Sequence, residues 1–264
     1  MKELNVYISE KLKLNRDSTN YKYTPETKED LISLITELID RRGENANLND
    51  IDVSKITDMS SLFEGLAVKD IDISAWNVSN VTTMNAMFYD CYSFNSDLSR
   101  WDVSNVINMG TMFLNCYRFN SDLSNWNTKS AEAMFNMFRS CRKFNSDLSK
   151  WDVSNVTTMA NMFNGCERFN SDLSDWDMGN VTSIFQMFKG CKLFTSDLSK
   201  WDVSNVDVME GAFAKCENFQ SDLNKWDISA CKCFTKMFYD CKNFDHSFIK
   251  DWRIDPDTYD KMFR

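Results

Sequence analysis

Hydrophobic and polar residues recur along the chain with a period of 25 residues. Trp repeats at this spacing from Trp76 to Trp226, and the unit reads W-D-V-S-N-V-T-x-M-x-x-M-F-x-x-C-x-x-F-N-S-D-L-S-x. A less regular copy begins at Ile51, where Ile replaces Trp. A fixed period of this length is typical of repeat proteins, in which each unit packs only against its neighbours. The pattern therefore predicts a solenoid of about eight repeats over residues 51–250.

Each repeat carries two shorter periodicities. Apolar residues in its second half follow the i, i+3, i+4, i+7 spacing of one helix face, as in Met84, Met87, Phe88 and Cys91. Upstream, Trp101 and Val103 alternate with polar residues, which indicates a short strand. Because parallel crossovers through a helix are right-handed, we predict an α/β fold. It is a right-handed, leucine-rich-repeat-like solenoid with one short parallel strand and one short helix per 25-residue turn.

The two ends of the chain depart from the repeat. An apolar stripe in residues 31–39 predicts a helix that starts near Thr24, ends at Gly43 and covers the first repeat. Residues 4–8 alternate as in a short strand. We therefore divide the chain into an N-terminal segment with a capping helix (1–50), the solenoid (51–250) and a C-terminal cap (251–264).

The repeat F-N-S-D-L-S-x-W-D-V-S-N-V-T-x-M-x-x-M-F resembles that of the BspA-like leucine-rich-repeat family, whose 25–26-residue units occur in bacterial surface lipoproteins. Similar arrays occur in large DNA viruses of protists. The resemblance covers Ile51 to Phe248 and implies adhesion or protein-interaction roles, with no catalytic residues. The bacterial relatives usually carry an export signal, whereas residues 1–20 have no apolar core. We therefore expect an intracellular or viral setting.

Composition narrows the classes of function. The formal charge of −9 disfavours nucleic acid and anionic membranes as partners. No apolar run approaches the ~18 residues of a membrane span. We therefore expect a cytoplasmic protein with reduced cysteines, or one in host cytoplasm or a virion. A single His and the absence of phosphate-binding and nucleophile motifs predict a protein without catalysis or cofactor.

Several repeated side chains could form sites instead of core. The Trp column could stack sugars, but Trp shares a face with an inward Val and is therefore expected in the core. The Asp columns could hold calcium; alternatively, they bond their own turns or pair with the Lys or Arg two residues before them. The Cys column is expected to be buried, free thiol. A zinc site at Cys231, Cys233, Cys241 and His246 lacks a standard spacing.

Irregular residues beside the helix positions are the best candidates for recognition, because Tyr and Arg are favoured in interfaces. They are Tyr89, Tyr92, Tyr117, Arg118, Arg142 and Arg168. A rival site is the concave wall expected to be formed by the predicted strands, whose exposed positions repeat the same Lys/Arg, Asp and Ser residues; we name it the rival wall.

The sequence thus predicts a non-catalytic scaffold for protein–protein interaction, in virus–host or surface recognition. One alternative is a structural component that assembles with itself into a particle or cell surface. Another is a calcium- or carbohydrate-binding repeat protein.

Overall fold

A computed structural model describes residues 21–264. The first part of the predicted N-terminal segment, including the alternation at residues 4–8, lies outside the described residues. The helices of the described chain are α1 (Lys28–Arg42), a 3-10 helix (His246–Ile249) and α2 (Pro256–Phe263). Between α1 and the 3-10 helix the chain winds as a repeat solenoid of 25-residue coils. The predicted right hand of this solenoid stays a prediction.

Successive coils pair in parallel through one segment of each coil, which spans residues 82–90 in the coil that begins at Trp76. We name this segment and its equivalents the ladder segment. The bridged pairs are Asp58–Thr83, Thr83–Asn108, Asn108–Ala133, Ala133–Thr158, Thr158–Ser183, Ser183–Val208 and Val208–Cys233. Every second amide donates to the next coil, as from Met84 to the Asn108 carbonyl at 2.9 Å. Backbone bonding between coils is therefore concentrated in the ladder segment.

The ladder segment is not helical, and the predicted helix is wrong. The backbone amides between those that donate to the next coil form hydrogen bonds within their own coil, to the carbonyl three residues earlier. One example is the bond from the Met87 amide to the Met84 carbonyl at 3.1 Å. Ala86 and Asp90 have φ of 56° and 59°, a left-handed conformation that interrupts a right-handed helix. The side chains from Met84 to Cys91 that formed the predicted apolar face are nevertheless buried. Successive turns of this kind place apolar residues three and four apart, so their pattern imitates that of a helix.

The predicted strand at Trp101 and Val103 is also wrong. The Trp101 amide donates to the Leu98 carbonyl at 3.1 Å and that of Val106 to the Val103 carbonyl at 2.9 Å, which are turn bonds. Between Trp101 and Val206, no backbone hydrogen bond joins the Trp-to-Val parts of successive coils. Coil-to-coil pairing lies in the segment predicted as helix, so the structure does not support the strand-plus-helix unit of a leucine-rich repeat.

Trp side chains link the coils where backbone bonds do not. The Trp101 indole Nε1 donates to the Ile73 carbonyl at 3.1 Å, and the same link recurs from coil to coil. Trp101 is 3% exposed, and its ring stacks on that of Trp76 with centroids 6.4 Å apart. The prediction that the Trp column belongs to the core is confirmed.

Polar side chains in the F-N-S-D and S-N-V motifs make further links. The Ser121 hydroxyl accepts from the Leu98 amide at 3.0 Å, one coil away. The side-chain amide of Asn105 donates to the backbone carbonyl of Ser79 at 2.8 Å. Because these bonds recur in successive coils, the recurrent Asn and Ser residues satisfy backbone groups that would otherwise lack partners.

Stacked Phe rings fill the centre. Phe88 and Phe113 of adjacent coils have ring centroids 5.5 Å apart, and Phe88 lies 4.0 Å from Phe94 of its own coil. The same two contacts repeat along the solenoid. One continuous apolar core therefore runs through the coils.

Both ends of the solenoid meet a helix. Four apolar side chains of α1 are buried against the core, namely Leu31, Leu34, Ile35 and Leu38. Helix α1 begins at Lys28 and not near Thr24, because the Thr27 side chain accepts from the Asp30 amide at 3.1 Å. At the other end, carbonyls of α2 accept hydrogen bonds from amides of the last ladder segment. The Lys236 amide, for example, donates to the Lys261 carbonyl at 2.7 Å. Among the described residues, no helix combines the length and hydropathy needed to cross a bilayer.

The Cys column should be chemically inert while the protein is folded. Each Sγ donates to a Phe carbonyl, as from Cys116 to Phe88 at 3.0 Å, and burial raises the pKa of Cys91 to about 12. Thiolate is the reactive form. We expect iodoacetamide at neutral pH to spare the six buried thiols until guanidinium is added, as read by mass spectrometry: Cys91, Cys116, Cys141, Cys166, Cys191 and Cys216. Rapid native labelling of Cys141 would contradict this packing.

Loss of one indole link should destabilise the solenoid measurably. Trp151→Phe removes the hydrogen bond to the Leu123 carbonyl, 3.0 Å long. We expect the free energy of unfolding in urea to fall by about 1–3 kcal/mol, from the lost hydrogen bond and from imperfect packing. Lys150→Ala, at an exposed neighbouring position, is the control and should change it by less than about 0.5 kcal/mol. Equal effects of the two substitutions would contradict the role of the indole.

Candidate binding surface

The residue that follows each Cys of the column lies on the surface and forms a column of its own. Its first three members are Tyr92, Tyr117 and Arg142. The two Tyr rings stack with centroids 5.2 Å apart, and the Arg142 guanidinium carbon lies 4.9 Å from the centroid of the Tyr117 ring. Tyr92 is 52% exposed. The half-buried Tyr117 ring contacts both neighbours, so the surface presents the exposed Tyr92 and a cation held by a cation–π contact.

Further cations surround this stack. Arg139 lies three residues before Arg142, and the neighbouring column contributes Arg118, Lys143 and Arg168. All of these cations are exposed. We name the whole set the Tyr–Arg surface; its members are Tyr92, Tyr117, Arg118, Arg139, Arg142, Lys143 and Arg168.

None of the five cations of the Tyr–Arg surface forms an ion pair with any described carboxylate. The chain as a whole carries a formal charge of −9. A cluster of unpaired like charges is electrostatically unfavourable by itself. An anionic partner would relieve this repulsion.

Towards the C-terminus the same column neutralises itself. The Lys192 ammonium lies 2.9 Å from the Glu167 carboxylate, and this hydrogen bond raises the pKa of Lys192. The column therefore changes from aromatic and cationic to charge-paired within two coils. Lys242, at the C-terminal end of the column, is again a cation without an ion pair in the described chain, but it has no Tyr pair beside it.

The six residues predicted for recognition are not all brought together. Tyr92, Tyr117 and Arg142 are in contact, and Arg118 and Arg168 occupy the adjacent column. Tyr89 is half-buried and belongs to the ladder segment. The prediction omitted Lys143, although it shares its repeat position with Arg118 and Arg168; alignment of the repeats by that position would have found it.

The rival wall shows Asp side chains bonded to their own turns. The Ser99 amide donates to Asp97 at 2.9 Å, and the Ser104 amide donates to Asp102 at 3.0 Å. The predicted pairing of Asp with the Lys or Arg two residues earlier is wrong, because no such pair is formed among the described residues. Lys200 instead lies 3.7 Å from Asp175, one residue before Trp176. These turns account for the Asp columns without a ligand.

The cysteines near the C-terminus have separate partners. The Cys241 Sγ donates to the Phe213 carbonyl at 2.7 Å, and Cys233 lies 3.5 Å from the Glu210 carboxylate. His246 Nδ1 lies 2.6 Å from the Tyr259 hydroxyl. Within residues 21–264, no three His, Cys, Asp or Glu side chains are placed to hold one metal ion. The zinc alternative therefore has no ligand set in this part of the chain.

Comparison with known proteins identifies the family. A model described as "Mycoplasma protein of unknown function, DUF285" matches residues 34–147, 122–209 and 172–264. The chain therefore belongs to this family of repeat proteins. No curated protein matches the sequence. The family match does not carry the BspA-like name, so that finer resemblance stays a prediction.

The Asp turns should make the solenoid sensitive to acid. Hydrogen bonds from Ser lower the pKa of the Asp side chains: the Ser99 amide is the main cause at Asp97, and the Ser104 hydroxyl at Asp102. A folded-state pKa below the unfolded value stabilises the fold above about pH 4, and this contribution is lost as pH falls through the folded pKa. We expect the urea midpoint to decrease below about pH 4.

A triple variant tests this assignment: Asp102→Asn, Asp152→Asn and Asp202→Asn. Asn77 already holds this position and accepts from the Ser79 amide at 3.2 Å, so the variant should fold. Its urea midpoint should depend less on acid than that of the wild type. If the urea midpoint of the variant falls with pH as steeply as that of the wild type, other titratable groups cause the acid sensitivity.

Proposed function

We propose that this protein is a non-catalytic scaffold that binds a partner protein through the Tyr–Arg surface. The observation that carries the proposal is the stacked Tyr pair beside five cations without carboxylate partners. The charge of the surface favours an acidic segment of the partner. Tyr and Arg are the residue types that most often dominate binding energy in protein interfaces.

The stack lowers the entropic cost of binding. Arg142 is held over the Tyr117 ring, so part of its side-chain freedom is lost before a partner arrives. A carboxylate that approaches the exposed edge of Arg142 can form two parallel hydrogen bonds. The flanking Arg118, Lys143 and Arg168 add long-range attraction and faster association, which salt would weaken.

The capped ends favour a discrete binder over the alternative of a self-assembling component. Helix α1 covers the first coil, and carbonyls of α2 accept ladder amides of the last coil. An open coil end would present free amides and apolar side chains to another copy. A relationship to BspA-like surface proteins would also fit a recognition role, in a virus–host or cell-surface setting.

Quantitative pull-downs from native-source lysate test the proposal. The bait variant carries Tyr92→Ala, Tyr117→Ala, Arg142→Ala and Arg168→Ala. We expect a protein captured by the wild type to be lost from this variant, and binding of the purified partner to weaken at least tenfold, since each central Tyr or Arg contributes about 1 kcal/mol or more. Affinity should also fall as salt rises.

The matched control bait carries Lys150→Ala, Lys225→Ala and Tyr239→Ala, which remove equal charge and an exposed Tyr elsewhere. Equal loss from both baits, or retention by both, would reject the Tyr–Arg surface. Nuclease treatment that abolishes capture would point to nucleic acid instead, and loss in EDTA would point to calcium. If the bait captures only further copies of this chain, the self-assembling alternative would be favoured.

A further inference from the structure

The coil that begins at Trp126 departs from the repeat at both inward and exposed positions. From Trp126 the sequence reads W-N-T-K-S-A-E-A-M-F, where the consensus of the coils is W-D-V-S-N-V-T-x-M. Its inward residues still pack: Ala131 is buried, and the hydroxyl of buried Thr128 donates to the Asp152 carbonyl at 2.8 Å. The coil is therefore anchored as the others are, while its outer side differs.

A groove lies at this break. It has a volume of about 770 Å³. The lining residues from the break itself are Lys129, Ser130 and Glu132, and the coils on either side contribute Ile107 and Asp152, among others. We name it the repeat-break groove. It is separated along the coil from the Tyr–Arg surface by the ladder segment, so it is a different site.

A missing side-chain amide leaves a backbone acceptor open beside the groove, on the residue that precedes the lining residue Asn105. In the neighbouring coils Asn105 donates to the Ser79 carbonyl at 2.8 Å and Asn155 donates to the Lys129 carbonyl at 2.7 Å. Ser130 stands at the same position but makes no such bond, and the Ser104 carbonyl accepts no hydrogen bond from the described residues. This carbonyl can accept an N–H from a ligand.

The groove also holds three charged side chains that form no ion pair with described residues; the pKa of Asp152 is lowered by hydrogen bonds from Ser154 and also by the nearby Lys129. Lys129 and Glu132 replace Ser and Thr of the repeat, and neither forms an ion pair within the described chain. Asp152 adds a second carboxylate, held by the Ser154 hydroxyl at 2.6 Å. A comparison comes from Ala230, which also replaces Asn: there the nearby Lys232 is paired with Asp207 at 3.4 Å. The added cation of the Ala230 coil is thus in an ion pair, whereas Lys129 at the repeat-break groove is in none.

We propose that the repeat-break groove binds an extended peptide segment that carries a Lys or Arg side chain. The peptide backbone donates an N–H to the Ser104 carbonyl. Its cation lies against Glu132 and Asp152, and Lys129 donates to a peptide carbonyl or carboxylate. Two carboxylates against one ammonium favour a cationic occupant. The exposed Ile107 side chain offers an apolar contact for the stem of the bound Lys or Arg.

Chemical-shift changes in isotope-labelled full-length protein test this site. The probes are blocked alanine-based peptides whose central residue is Lys, Gln or Glu. We expect the Lys peptide to shift the amides of Ile107, Lys129 and Glu132 and to bind about tenfold or more tightly than the Gln and Glu peptides, as a charged hydrogen bond implies.

A repaired variant restores the repeat: Lys129→Ser, Ser130→Asn and Glu132→Thr. The Asn introduced there can donate to the Ser104 carbonyl, so the variant should be at least as stable as the wild type while losing the Lys-peptide shifts. The control variant carries Lys150→Ser and Glu64→Thr, which remove the same charges from exposed positions without ion pairs. This control should still show the chemical-shift changes with the Lys peptide. The variant that lacks the Tyr–Arg side chains should also bind the Lys peptide, which separates this result from the proposed function.

Several results would overturn the proposal. They are the absence of groove shifts with millimolar Lys peptide, equal shifts with all three peptides, and unchanged binding in the repaired variant. Groove shifts with a neutral oligosaccharide in place of the peptides would assign the groove to carbohydrate.

Discussion

Hydrogen bonds between the ladder segments of successive coils determine the rest of the architecture. Every second amide in this segment, such as that of Met84, must meet a carbonyl of the next coil at about 2.9 Å. The requirement fixes the register at 25 residues, since an insertion would shift every later donor from its acceptor. It also sets a close coil spacing, and the Phe and Trp rings have to stack at that spacing.

This spacing explains why the polar residues repeat as faithfully as the apolar ones. The turns around Trp101 cannot pair through the backbone, so side chains take over: the indole of Trp101, the amide of Asn105 and the hydroxyl of Ser121. The Trp101 and Ser121 bonds satisfy buried backbone groups, whereas the Asn105 bond lies at the surface. The regular residues are consequently needed for the scaffold, which is why the proposed recognition is assigned to exposed positions that vary between coils.

The period, the continuous core and the burial of the Trp column could be predicted from the sequence because each follows from which residues recur. The backbone path could not. Turns that close after three residues and a helix both place Met84, Met87 and Cys91 on one side, so apolar spacing does not distinguish them. The distinguishing signal was weaker: positions with positive φ, such as those of Asn115 and Gly165, favour Asn, Asp and Gly. The contact between Tyr117 and Arg142 could not be read from apolar spacing either, because it depends on which residues of neighbouring coils lie in register.

Both proposals therefore rest on departures from the repeat that lie above an intact core. At Thr128 the change from Val keeps the side chain buried and adds a bond to the next coil. At Ser130 the change from Asn removes a bond that the scaffold uses elsewhere. A coil that lost both kinds of contact would indicate a weakened scaffold. In this coil Thr128 and Ala131 replace Val but stay buried, and Lys129 and Glu132 change on the exposed side. The same argument separates the paired Lys192 from the unpaired Arg142 within one column, because only the second leaves a charge for another molecule to neutralise.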